Sequence, residues 1–226
     1  MTKLLYKDEP VIVELTLLSR DAFYLWPDTD NKEYDQYAGG ATNAPLQDHL
    51  TGPFIDQDVC SQFFINTNLI DGTQILNGFG WHIDEASPYY IDDASMISYA
   101  DEEENRNVFA AFAALQEWEK YIKRDDEENP SMDPCCIYLH RLFVEPEYRQ
   151  KKLASTILKQ LNVLFAKYRQ TLRYAVTIVN PDEPTDGTKE EMTDIMIQTL
   201  QKAGFVQIGT TGSNEPHPIY AKHYSL

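Results

Sequence analysis

Leu142-Phe143-Val144-Glu145-Pro146-Glu147-Tyr148-Arg149-Gln150-Lys151-Lys152-Leu153-Ala154 joins two segments of different hydrophobic period. Before it, Cys136 to Val144 is a run of strand formers that reads as a buried strand. After it, Leu153, Ile157, Leu161, Leu164 and Tyr168 fall on one helical face with Leu158 and Phe165 beside it. That spacing predicts a helix from Lys152 to about Gln170. Glu145 to Lys151 is the polar loop between them. A strand that enters a helix through a short loop leaves the first helical N–H groups without intrahelical partners, and with the helix dipole they attract a phosphate. Arg149, Lys151 and Lys152 place three cations within four residues. Cations at a helix N-terminus oppose the dipole at a cost of ~0.3–1 kcal/mol each, which a bound anion would reverse. The stretch reads as a phosphate site; the plainer alternative is an exposed basic turn.

Downstream, Arg173 to Val179 reads as a second strand, halted by Asn180-Pro181. Lys189 to Ala203 is an amphipathic helix carrying Met192, Ile195, Met196, Thr199 and Leu200, with Gly204 as its C-cap. Phe205 to Thr210 and Ile219 to Tyr224 are two short strands around a Gly/Pro turn. Upstream, Val11 to Leu18 reads as the first strand. Ser61 to Ile70, Asp71-Gly72 and Thr73 to Ile83 spell a hairpin with a type I′ turn. From about Glu103, Val108, Phe112, Leu115, Trp118 and Ile122 recur at helical spacing, and the charged run Lys123 to Pro130 ends that helix as a solvated loop. Asp21 to Val59 reads as loops with short helical turns, and Glu85 to Tyr99 as irregular. No internal repeat is present, and the order of elements implies a mixed sheet covered by helices.

A chain of 226 residues with 42% hydrophobic and 12% aromatic residues can build a sizeable core, which excludes whole-chain disorder. The N-terminal residues lack the apolar centre of a signal peptide, and no apolar run approaches the roughly 18 residues of a membrane span. Three cysteines, two of them the neighbours Cys135 and Cys136, make a poor disulfide set and fit a reducing cytoplasmic setting. Residues 135–226 carry 11 Lys+Arg against 9 Asp+Glu, so the net charge of −17 comes from residues 1–134. An anionic half of this size disfavours nucleic acid and anionic membrane as partners, since a phosphate surface needs cations to displace its counterions. It would concentrate cationic molecules or a basic protein surface; solubility alone is the plainer reading.

The quoted stretch resembles the cofactor motif of the GCN5-related N-acetyltransferase (GNAT) family: a strand ending L-x-V, then x-P-x-Y-R, then G-x-G-hydrophobic-G/A. The hairpin, the strand after the motif helix, Asn180 and Gly204-Phe205 also stand where the family has its counterparts. The resemblance implies an α/β fold with a mixed, mostly antiparallel central sheet and helices on both faces. An insertion is expected between the third and fourth of the strands read here. Residues 1–226 would form one domain, with 1–134 its acidic half and 135–226 its cofactor-binding core. It further implies acetyl-CoA as co-substrate, an amine acceptor and, as is common in the family, a homodimer through the C-terminal strands. Backbone groups of Leu142 and Val144, with Phe143 between, would line the pantetheine. Amides of Arg149, Gln150, Lys151, Lys152, Leu153 and Ala154 would cradle the pyrophosphate, and Asn180 would sit near the acyl end. Gln150 and Lys152 replace the family's glycines, where a side chain is tolerated if the loop keeps to the helical region. Leu200 stands where the family often has a proton-donating Tyr.

Acyl transfer to an amine needs a neutral amine, a polarised carbonyl and a proton for the leaving thiolate. His140 is the first candidate base, because its ordinary pKa lies near neutrality. Glu145 and His82 follow. Tyr220, with Tyr224, is the candidate acid. In the plainer alternatives His140 is a hydrogen-bonded strand residue, the tyrosines are packed aromatics, and Cys135 and Cys136 are buried thiols. No His/Cys/Asp cluster has metal-ligand spacing. Two functions remain open: an acetyl-CoA-dependent N-acetyltransferase for a small cationic or peptidyl amine, and a catalytically weakened relative that binds a basic protein through its acidic face.

Overall fold

The computed structural model describes residues 2–6, 9–18, 60–85, 105–122, 133–149, 152–181, 187–212 and 216–224. Among the described residues eight strands form one sheet: β1 (Thr2–Tyr6), β2 (Glu9–Leu18), β3 (Cys60–Asn68), β4 (Gln74–Asp84), β5 (Asp133–Val144), β6 (Gln170–Ile178), β7 (Val206–Thr210) and β8 (Pro218–His223). Their order is β1-β2-β3-β4-β5-β6-β8-β7, and every neighbouring pair is antiparallel except β5 and β6. A parallel pair needs a crossover that packs on the sheet. Here the crossover is α2 (Leu153–Lys159) and α3 (Leu161–Ala166). The described helices are completed by α1 (Asn105–Glu119), between β4 and β5, and α4 (Lys189–Lys202), between β6 and β7.

The two faces of the sheet carry separate cores. On one, Leu153, Ile157, Leu158, Leu161, Leu164 and Phe165 of α2 and α3, with Leu200 of α4, bury against Phe63, Ile65, Ile137, Ala175 and Tyr220. On the other, Ala111, Phe112 and Leu115 of α1 bury against Ile83, Cys136, Tyr138, Tyr174 and Val176. Helices on both faces match the expected architecture. Arg173 of β6 fixes the end of α1 by pairing with Glu119 at 2.8 Å and with Glu85 past the end of β4. The Tyr174 hydroxyl donates to the same Glu119 carboxylate at 3.1 Å. Thr188 and Glu191 form a reciprocal capping box at the start of α4, and Gly204 ends it at φ 90°.

Four expectations are corrected. β1 was not foreseen; it is an edge strand held by pairing to β2 rather than by any pattern of its own. The β3–β4 turn is not type I′, which requires positive φ at both central residues. Among the described residues only Lys152 and Arg169 combine a side chain with positive φ, so Asp71 does not. Instead Gly72 N–H bonds Leu69 O at 3.0 Å, Leu69 N–H bonds Thr73 O at 2.9 Å, and Gly72 takes φ 90°. This is a three-residue loop ending in a left-handed glycine. The single helix expected from Lys152 to Gln170 breaks at Gln160 (φ −108°, ψ 12°). It stops at Arg169 (φ 63°), so β6 begins at Gln170, before the expected Arg173. Tyr168 thereby turns away from the core and donates its hydroxyl to Leu15 O, and Phe165 is the last buried residue of the stripe. The expected loops at 21–59 and 123–130 lie outside the described residues, as does all but Glu85 of the irregular 85–99.

β5 contains one residue more than β4 can match. Phe79 pairs with Arg141 and Gly80 with Leu139, so the register skips His140, a β-bulge. Its effect shows in the side chains. Cys135, Ile137 and Leu139 face the α2–α4 core before the bulge, whereas Leu142 and Val144 face it afterwards. Glycine opposite is a requirement: a Cβ on Gly80 would lie 2.0 Å from Tyr138 O and 2.8 Å from the Phe63 ring. Gly78 is similarly pressed, at 2.8 Å from a Leu142 methyl and 3.0 Å from Arg141 O.

Gly80→Ala should therefore cost at least ~2 kcal/mol in urea denaturation, while Gly212→Ala, which meets nothing within 4 Å, should be close to neutral. Equal effects would show that the bulge tolerates a side chain. A second outcome concerns pH. His82 is 2% exposed and stacks on Phe165 with ring centroids 5.6 Å apart. Burial pushes its pKa down to about 4, weakly opposed by Gln170. The unfolded chain, with an ordinary histidine, takes up the proton first. Stability is then full above pH ~6.5 and is lost as pH falls towards 4, by up to ~3 kcal/mol. His82→Leu should flatten that window in denaturation curves at pH 7 and pH 5; an unchanged slope would assign the acid sensitivity elsewhere.

Candidate active site at the divergence of β5 and β6

The ladder between β5 and β6 runs from Asp133–Gln170 to Tyr138–Val176 and stops there. One side-chain bond continues it, from Thr177 Oγ1 to Leu139 O at 2.8 Å, buried. Past that contact β5 carries on to Val144 paired with β4, and β6 carries on to Ile178 paired with β8. A bulge bends its strand and raises the local twist, so the skipped residue at His140 lies where the two strands part.

The backbone of the outer half of β5 has a defined direction. Glu145 N–H donates to Ile75 O at 3.1 Å across the β4 side. Alternation in an antiparallel ladder therefore turns the polar groups of Val144 and Leu142 the other way, into the gap. Phe143 lies on the opposite face from Leu142 and Val144, with the Arg141 and Arg149 guanidinium carbons 5.6 Å and 5.4 Å from its ring centroid. Arg149 Nε–H also donates to Val144 O at 3.0 Å. Pro146–Tyr148 form a single 3-10 turn with Arg149 as its C-cap.

At the entrance to α2, Lys152 is exposed and left-handed (φ 62°, ψ 8°). This is a correction, since the helical region was expected. The loop keeps a backbone shape suited to glycine, at a cost of ~1–2 kcal/mol for a side-chain-bearing residue. Lys152 O accepts Thr156 N–H at 2.9 Å and Ser155 Oγ–H at 3.0 Å. The amides of Leu153, Ala154 and Ser155 precede that first intrahelical bond and belong to the open turn of the helix. Ala154 packs partly on the core. Gln150 and Lys151 lie outside the described residues.

His140 is half-buried on the α1 face, its ring 4.8 Å from Phe79 and 6.1 Å from Tyr138. Glu145 is half-buried just past the strand. Tyr220 is 3% exposed and directly opposite Thr177 in the β6–β8 ladder, so it shares a face with the hydroxyl at the apex of the gap. Asn180 is exposed beyond β6, between buried Val179 and buried Pro181. Leu142 and Val144 therefore flank the divergence, with Thr177 and Tyr220 on the α2–α4 face of the sheet and His140 on the α1 face, and Arg149 and Lys152 stand at its outer end.

Other candidates fall elsewhere. His82 is in the core on the α3 side. Tyr224 donates its hydroxyl to Leu158 O at 2.6 Å, and burial raises its pKa. Cys135 and Cys136 are fully buried, and burial together with Glu85 and Asp84 raises the Cys135 pKa well above the usual thiol range. Leu200, at 5% exposure, is a core residue. Among the described residues no group of His, Cys, Asp and Glu is placed to hold a metal, and no helix is long and apolar enough to cross a membrane. Thr177 and the Gly78/Gly80 pair were missed in the sequence. Two glycines on one face of a strand do signal a bulge or close backbone approach; a threonine at a strand end signals nothing.

The acetyltransferase (GNAT) family model matches residues 69–184. No curated protein matches in sequence. An arylalkylamine N-acetyltransferase structure from the yellow fever mosquito is 10% identical at TM-score 0.46, covering 98% of this chain and 93% of that one. A GNAT acetyltransferase from Listeria monocytogenes is 11% identical at TM-score 0.41, covering 99% and 100%. An aminoglycoside acetyltransferase in complex with coenzyme A and kanamycin is 15% identical at TM-score 0.37, covering 94% and 95%. The matched segment is just over half of the 226 residues and contains β4, the bulged β5, the loop and β6; the chain belongs to the GNAT family of acetyltransferases.

Proposed function

We propose that this chain is an acetyl-CoA-dependent N-acetyltransferase acting on a primary amine of a small cationic or peptidyl acceptor. The observation that carries the reading is the wedge beyond Leu139 and Thr177, into which β5 turns the backbone groups of Leu142 and Val144. A strand edge that turns backbone groups into a wedge suits the amides of a pantetheine arm, which can pair with it as an added strand. The amides of Arg149, Gln150, Lys151, Lys152, Leu153 and Ala154 would hold the diphosphate, and the left-handed turn at Lys152 preserves the backbone path for it. Asn180 would meet the pantetheine near the acyl end.

The co-substrate supplies an activated acyl group as a thioester, whose thiolate leaves with modest assistance. The rest falls to the chain. Holding acceptor and acyl group in line supplies much of the rate. A backbone N–H near Phe143 or Val144 would polarise the carbonyl. His140 would take the proton from the acceptor ammonium, with Glu145 the alternative base, and Tyr220 would return a proton to the leaving sulfur. Acidic residues in 1–134 would draw in a cationic acceptor. The same reading places the chain in the cytosol as one domain, paired through its C-terminal strands. The competing reading, a weakened relative kept for binding a basic protein, is favoured by the core Leu200 in place of a tyrosine.

Calorimetric titration with acetyl-CoA should give saturable binding; no heat and no thermal shift at about 1 mM ligand would leave only the binding-module reading. Arg149→Glu with Lys152→Glu should weaken that binding by ~1.5 kcal/mol or more, as loss of charge-assisted phosphate bonds requires. Unchanged affinity would remove the diphosphate assignment. His140→Ala should lower turnover at least about tenfold while the co-substrate still binds. Loss of both together would mark His140 as structural.

A further inference from the structure

Arg149 lies in the basic loop, yet its side chain folds back onto the strand before it. Nε–H donates to Val144 O at 3.0 Å, and the guanidinium rests over the Phe143 ring, 5.4 Å from its centroid. The carbonyl it caps is one of those that face the gap, because the neighbouring Glu145 N–H is bonded to Ile75 O on the β4 side. The arginine thus occupies an acceptor that a strand-like ligand entering the wedge would need. Arg141 presses on the same ring at 5.6 Å, so two cations share one aromatic face system at the mouth of the gap.

We propose that Arg149 is a displaceable plug which makes the wedge selective for acyl carriers bearing a diphosphate. The inference rests on the acetyl-CoA reading above. A pantetheine arm along β5 takes the place of Nε–H at the Val144 carbonyl, since the guanidinium lies across its path. The released guanidinium carries its charge and its planar fork to the loop, where a diphosphate accepts charge-assisted, two-point hydrogen bonds. A carrier without phosphate offers nothing in exchange for the broken bond. The same side chain therefore opposes one half of the ligand and rewards the other.

The test compares coenzyme A with pantetheine, which has the same arm and no phosphate, on the wild type, on Arg149→Met and on Arg149→Ala. Methionine keeps an unbranched chain over Phe143 but has neither charge nor donor; the melting temperature of each variant reports its folding. By calorimetry, both variants should bind coenzyme A more weakly and pantetheine more tightly, so that the preference for coenzyme A shrinks at least about tenfold. Equal weakening of both ligands, or an unchanged pantetheine affinity, overturns the plug while leaving the acetyl-CoA reading intact. Failure of the wild type to bind coenzyme A would instead remove the acetyl-CoA reading, and the plug with it.

Discussion

β5 is set against β4 with one residue to spare, and the close approach of Gly80 to Tyr138 O is where the surplus is absorbed. A side chain at position 80 would force the two strands apart or the bulge out of register. With glycine there, β5 bends at His140 and exchanges which of its residues face which core. The parallel ladder to β6 ends two residues earlier, at Tyr138. A gap in the middle of a sheet would ordinarily expose backbone groups that need partners. The fold limits that exposure by tying Leu139 O to Thr177 and Val144 O to Arg149.

The layers on either side give the gap firm walls. α2 and α3 pack on one face through six buried hydrophobic residues, and α1 packs on the other through Ala111, Phe112 and Leu115. Arg173 joins three elements by holding Glu119 at the end of α1 and Glu85 at the end of β4. Removing one partner of such a half-buried triad strands the remaining charge, which is costlier than losing the attraction itself. The aromatic residues around the bulge, Phe79, Tyr138 and His140, lie in ring contact on the α1 face. An imidazole set among rings is held in orientation by packing, and small shifts in those rings are felt there.

Much of the architecture was legible because burial imposes a period on the sequence. The 3.6-residue stripes of α1, α2, α3 and α4 and the strand-forming runs of β3, β4 and β5 are records of one-sided packing. Gly72 and Gly204 marked chain reversals because left-handed backbone selects glycine. What escaped was set by pairing rather than by pattern. β1 is ordered by β2. The Asp71-Gly72 pair fits two loop types, and the register of β3 on β4 decides between them. The break at Gln160 and the reversal at Arg169 follow from laying two short helices on a twisted sheet, which a single stripe of leucines does not announce.

The sequence by itself determined the family motif, the strand–loop–helix junction, the charge of the loop and the division of the chain into an acidic and a nearly neutral part. Those properties depend on residue identity and spacing over a dozen positions. Only the tertiary structure decided that His140 is the residue skipped by the ladder and that Thr177 and Tyr220 meet at its apex. It also decided that Arg149 turns back onto Val144 and that Lys152 accepts a backbone shape made for glycine. The first two depend on the register between strands distant in sequence. A shift of one residue there reverses every side chain, and no local pattern records it.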